Sequence, residues 1–171
     1  AINEILAHPY GLFLVTGPTG SGKTNLLAAM TSAIDPSKER RTIEDPVEIK
    51  IPGVDQSTVI EGSKNATFEK LLKAMLRQDP DTLTLGEMRD AEAARQLLGF
   101  ARTGHYTLST LHVNCAALTP ERLNDMGVDF SDIDRDGLVD IFAVDMLSRD
   151  PRLRIRQMPA QDHEDWNSNR W

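Results

Sequence analysis

One short stretch of the chain, G-P-T-G-S-G-K-T from Gly17 to Thr24, has residue types and spacing suited to gripping phosphate. Gly17, Gly20 and Gly22 can take backbone angles closed to other residues, which lets amide groups approach phosphate oxygens closely. Pro18, Thr19 and Ser21 complete the loop. Lys23 would supply a point charge to the outer phosphates, and the Thr24 hydroxyl an oxygen ligand for Mg²⁺. A helix starting near Gly22 would aim the positive end of its dipole at the same place. A turn rich in glycine and serine could meet the pattern by chance, but it would not need a strand before it and a helix after it. Here Leu12–Val15 is an apolar run, and Lys23–Ile34 carries Leu26, Leu27, Met30 and Ile34 at helical spacing until Asp35-Pro36 ends it.

The elements that must position this loop follow in alternation. Thr42 and Ile43 read as a short strand running into the acids Glu44, Asp45 and Glu48, with Pro46 keeping them out of a helix. Val47–Ile60 alternates polar and apolar residues around Pro52-Gly53 and reads as a hairpin or a pair of short edge strands. A helix is expected over Phe68–Arg77 and a strand over Leu83–Leu85, which stops at Gly86-Glu87. Ala91–Arg102 should be a helix with Asp90 as its N-cap and Gly104 as its stop. Tyr106–Leu111 reads as a strand. Thr119 is then expected to cap a helix with Pro120 at its first position and Gly127 at its end. Strand and helix thus alternate from residue 12 to about residue 126, the pattern of an α/β layer fold whose mostly parallel sheet is flanked by helices.

In such a sheet the ligand lies beyond the carboxyl ends of the strands. Each of those ends carries a candidate: the loop Gly17–Thr24, the group Glu44, Asp45 and Glu48, then Glu87, then His112. Any of these alone could be a solvated turn residue or a structural histidine. His105 and His112 stand at opposite ends of one strand, roughly 23 Å apart at full extension, so they cannot share a metal.

Composition narrows the remaining possibilities. The 171 residues suit one domain, with 40% hydrophobic, 5% aromatic and 26% charged residues. The formal charge of −7 argues against a broad nucleic-acid-binding face. The lone Cys115 excludes an internal disulfide and a paired-cysteine zinc module, and fits a reducing compartment. No apolar run is long enough to span a bilayer, which points to a cytoplasmic chain. The chain opens on Ala1 and meets the loop after sixteen residues, as a piece of a longer protein would, or a processed one. Residues 1–158 are expected to form one domain and 159–171 a polar, poorly ordered tail.

Four segments, V-T-G-P-T-G-S-G-K-T, T-I-E-D-P-V-E, L-R-Q-D-P-D-T-L-T-L-G-E-M-R-D and T-G-H-Y-T-L-S-T-L-H-V-N, together resemble the secretion ATPases that drive type II secretion and type IV pili. The resemblance covers residues 10 to 127 and implies a RecA-like P-loop ATPase domain. It implies a cytoplasmic homohexamer, peripheral at the inner membrane, that works against a membrane platform protein and binds no nucleic acid directly. By the same resemblance Gly17–Thr24 is the Walker A loop, Ile43–Glu48 the Asp box, Leu83–Arg89 the Walker B region and Thr103–Asn114 the His box. Glu48, Glu87 and His112 would be the catalytic residues: Glu48 directing the attacking water, Thr24 and Glu87 organising Mg²⁺ directly or through water, and His112 sensing the γ-phosphate. Arg77 and Arg89 fall in family motifs, and His105 reads as structural.

The chain departs from the family in four respects. Asn25-Leu26-Leu27 follows the loop in place of a threonine-rich continuation, and Cys115 stands where the family has an acid or a small residue. The cysteine set that holds zinc in some relatives is missing, as is the N-terminal domain that lends arginines to a neighbour. Asp132–Gly137 begins like a calcium loop, but its twelfth place is Ala143, so an acidic capped turn is expected instead of a calcium site. A related type IV secretion or conjugation ATPase, and a nucleotide-binding scaffold without turnover, are the alternative readings.

Overall fold

The computed structural model describes residues 8, 10–128, 141–146 and 155–158. Seven strands form one sheet: β1 (Gly11–Thr16), β2 (Arg40–Glu44), β3 (Asp55–Thr58), β4 (Thr82–Leu85), β5 (Tyr106–Leu111), β6 (Ile141–Asp145) and β7 (Ile155–Met158). Their order across the sheet is β3-β2-β4-β5-β1-β6-β7, parallel throughout except that β7 runs antiparallel to β6. The helices are α1 (Lys23–Ala33), α2 (Phe68–Leu76), α3 (Ala91–Arg102) and α4 (Thr119–Asp125). None of the described helices is long and apolar enough to cross a membrane.

The inner strand β1 is buried on both faces, which is why it reads as an unbroken apolar run. Its alternate residues serve two cores. Phe13 and Val15 pack with Leu27 and Met30 of α1, whereas Leu12 and Leu14 join the cluster built by α2, α3 and Leu123 of α4. The expected strands and helices fall within a residue or two of their places, and Asp90 caps α3 by accepting a hydrogen bond from the Ala93 amide at 2.8 Å.

Two expectations fail. The stretch Val47–Ile60 forms no hairpin: it contributes the single strand β3, parallel to β2 at the sheet edge. The Ile49–Ile51 segment is instead held by a side chain. Gln56 accepts from the Ile51 amide at 2.8 Å and donates to the Ile49 carbonyl at 2.8 Å, which takes those backbone groups away from strand pairing. Thr119 is not a cap. A 3₁₀ turn over Ala116–Leu118 runs straight into α4, so Thr119 already has helical angles (φ −57, ψ −46) and its buried hydroxyl has no partner. Strands β6 and β7 lie beyond the alternation legible in the sequence. Residues 132–140 of the calcium-like stretch and the polar tail 159–171 lie outside the described residues, while Ala143 sits in β6 beside Leu14.

Arg40 is a buried cation at the end of the first helix. It is only 6% exposed, and its guanidinium donates to the Ser32 and Ile34 carbonyls at the end of α1 (3.4 and 3.2 Å) and to the Gly53 carbonyl (3.2 Å). A cation at a helix C-terminus is favoured by the dipole and satisfies carbonyls left without partners. Replacing Arg40 with Met is expected to lower stability by about 1–3 kcal/mol, since three carbonyls lose a charged donor. Urea unfolding of the two proteins would measure this, and an unchanged midpoint would contradict it.

Candidate functional site

Because the six strands β1–β6 run parallel, their carboxyl ends share one edge, and a cleft of about 1020 Å³ runs along it. Residues from all four sequence segments line this cleft, among them Lys23, Thr24, Glu48, Glu87, Arg89 and His112.

The loop after β1 is built around its glycines. Gly17 has φ +147, and a Cβ there would lie 2.7 Å from the Ser21 hydroxyl oxygen and 3.1 Å from the Met146 Cβ, so no side chain fits. Gly22 has φ +90 and forms the N-cap of α1 with no side-chain hydrogen bond, and the first turn of the helix carries no acid. The uncapped amides and the dipole are therefore left facing the cleft, an arrangement that suits an anion. The Ser21 hydroxyl oxygen is buried without a partner in the same loop. Thr24 is exposed in the cleft one residue into the helix.

Lys23 is 7% exposed. Its ammonium donates to the Gly17 and Pro18 carbonyls, each at 2.9 Å, and lies 3.5 Å from His112 Nδ1. Burial lowers the Lys23 pKa from its ordinary 10.5, against an opposing pull from Glu87. Phosphate oxygens would favour the charged ammonium and raise that pKa again. Proton uptake on ADP binding is thus expected on the alkaline side, with affinity falling as pH rises through the lowered value and towards 10.5. Titration calorimetry of ADP in buffers of different ionisation enthalpy would detect it, and identical heats throughout the alkaline range up to 10.5 would count against it.

From Lys23 a line of polar contacts runs along the sheet edge. The other nitrogen of His112, Nε2, lies 3.2 Å from Glu87 Oε1, and the second oxygen of Glu87 accepts from Arg89 Nε at 2.7 Å. Arg89 then reaches the Asp45 carboxylate at 2.9 Å. The turn that carries Glu87 is stitched on both sides: the Gly86 amide bonds the Ile43 carbonyl at 2.8 Å, and the Thr110 hydroxyl bonds the Gly86 carbonyl at 2.8 Å. Since β5 lies between β1 and β4, Glu87 starts two strands away from the loop, about 10 Å. His112, at the end of the intervening strand, spans that gap.

Across the cleft, one carboxylate oxygen of Glu44, Oε1, accepts from both Thr42 (2.6 Å) and Gln56 (3.0 Å), which fixes the side chain at the cleft wall. Glu48 is exposed in the cleft and has no hydrogen-bond or ion-pair partner among the described residues. Two sequence candidates fall elsewhere. His105, at the amino end of β5, stacks on Phe100 with ring centres 4.0 Å apart, and its Nδ1 pairs with the Thr103 hydroxyl at 2.8 Å. Arg77 is the exposed C-cap of α2 and does not line the cleft. Motif reading missed Gln56, Thr110 and Met146, which hold the site's parts without entering its chemistry. Only the apolar run Ile141–Val144 could have hinted at Met146.

Thr24 and Glu87, beside a glycine cradle and an uncapped helix start, are the residues that could hold Mg²⁺ with a nucleotide, since that cation takes oxygen ligands. A parallel sheet with a phosphate loop on an inner strand and an acid two strands over defines a RecA-like P-loop domain. The solved structures agree. The X-ray structure of the Legionella pneumophila ATPase DotB superposes with a TM-score of 0.71 at 28% identity, over 91% of this chain and 46% of that one. The pilus retraction motor PilT with bound ADP gives 0.65 at 35% identity, over 82% of this chain and 45% of that one.

The family model described as type II/IV secretion system protein matches residues 1–164, and the chain belongs to that family. The type IV pilus assembly ATPase PilB of Thermus thermophilus is 47% identical over 127 residues, 74% of this chain and 14% of that protein. The type II secretion system protein E of Klebsiella pneumoniae is 46% identical over 130 residues, 75% of this chain and 26% of that protein. The chain therefore spans about a quarter or less of the length of these relatives.

Proposed function

We propose that this chain is the ATP-hydrolysing domain of a motor that powers type IV pilus assembly or retraction, or type II secretion. The observation that carries the reading is the continuous line Lys23, His112, Glu87 along the strand ends, with the unpartnered Glu48 facing it across the cleft.

Phosphoryl transfer needs positioning and charge more than covalent chemistry. Lys23 and the loop amides would hold the phosphates, and Thr24 and Glu87 would hold Mg²⁺ directly or through water. Mg²⁺, when bound with the nucleotide, neutralises charge on the phosphate oxygens. Glu48, with no partner among the described residues competing for it, would orient the attacking water and accept its proton. His112, between Lys23 and Glu87, is placed to register whether the outermost phosphate is present.

Membership of the family supports a homohexamer at the cytoplasmic face of the inner membrane, pressing on a membrane platform protein. Relatives at 46–47% identity are named for pili and type II secretion, against 25% for the VirB11 ATPase of the Brucella suis type IV secretion system, which favours the first branch. The full-length protein, assayed with Mg²⁺ and ATP, should hydrolyse ATP well above a Lys23→Ala control. Equal rates in the two would refute the proposal.

A further inference from the structure

Arg89 lies between two carboxylates of the cleft, one of them the Glu87 that would help to hold Mg²⁺. Its guanidinium reaches Glu87 with Nε (2.7 Å) and Asp45 with a terminal nitrogen (2.9 Å), so it joins the turn after β4 to the turn after β2. With His112 on the other oxygen of Glu87, both oxygens of that carboxylate are engaged. Two carboxylates converging on one point are what a hard cation seeks. Here a delocalised, weakly hydrated guanidinium occupies that point. A metal ion drawn to these carboxylates and the Arg89 guanidinium would repel each other, because their like charges would lie within a few ångströms. The Arg89 side chain is 59% exposed, so it can swing into solvent without disturbing the core.

We propose that Arg89 is a resident counter-cation that competes with Mg²⁺ for Glu87 and Asp45, so that metal binding beside the nucleotide requires Arg89 to let go. Arg89 is then a positioning residue that sets how much divalent metal the site needs. The inference rests on the nucleotide-binding reading above.

Its test measures the metal and not the turnover. The full-length protein is saturated with ADP and titrated with Mn²⁺, and free Mn²⁺ is followed by electron paramagnetic resonance. Arg89→Gln is expected to tighten Mn²⁺ binding about fivefold, the upper range for exposed ion pairs, with ADP affinity measured without metal unchanged. Unchanged or weaker Mn²⁺ binding in Arg89→Gln overturns the inference. So does a loss of metal-free ADP affinity, which would place Arg89 on the phosphates. Failure of the unaltered protein to bind ADP would overturn the nucleotide reading and this inference with it. Because metal-free ADP binding also reports folding, a misfolded variant cannot pass for a result.

Discussion

A Lys23→Ala protein is expected to lose ATP hydrolysis by at least about a hundredfold and to bind ADP much more weakly, because one buried charged donor serves the phosphates. Without nucleotide, the Lys23 ammonium is held by the Gly17 and Pro18 carbonyls at 2.9 Å, which fixes it over the loop with His112 Nδ1 3.5 Å away. Phosphate oxygens arriving there replace two neutral acceptors with charged ones, and charge-assisted bonds are about twice as strong. Alanine removes that gain and leaves the loop carbonyls bare. Lys23→Arg should fare little better, since a planar guanidinium cannot take the place of a compact ammonium in a 7% exposed slot. Single-turnover hydrolysis and fluorescent ADP titration would measure both effects. Near-normal turnover in Lys23→Ala would remove the basis of the proposed function.

The second large effect is expected for Glu87→Gln: kcat lower by about a hundredfold to a thousandfold, with ADP affinity within about threefold of the original. Glutamine keeps the size of the side chain, and its amide can still meet His112, while the stitched turn Gly86–Met88 stays in place. What disappears is the negative charge that a metal ion requires and that Arg89 and His112 now contact. An affinity loss larger than the rate loss would mean that Glu87 acts in binding rather than in the reaction. Unchanged secretion or pilus output in Glu87→Gln despite lost hydrolysis would instead indicate a scaffold that does not depend on turnover.

Much of this architecture was legible because the phosphate loop and the apolar strands are local signals. Gly17, Gly22 and Lys23 are spaced for one loop geometry, and Leu12–Val15 has the continuous apolar character of a strand buried on both faces. Placing Glu87 and His112 beside Lys23 needed only the inference that the strands are parallel. The fold of Val47–Ile60 was not legible, because a polar side chain from a later residue decides it: Gln56 takes the backbone groups that a hairpin would have used. Met146 was hidden for a different reason. It reaches Gly17 through the pairing of β6 with β1, a contact between residues 128 or more apart that no periodicity records. Arg40 stands in the charged run Lys38–Arg41, which carries no local sign of burial, and the meeting of the α1 end with Gly53 turns it inward.

The sheet order also has a mechanical meaning. Strand β1 is zipped to β5 on one side and β6 on the other, so the phosphate loop hangs from a strand with no free edge. Strand β3 has four residues, is paired only to β2, and follows directly on the loop that bears Glu48. Compliance in this domain therefore belongs to the Glu48 side, and the phosphate side acts as the anvil. Amide protons of β3 should exchange with solvent well before those of β1.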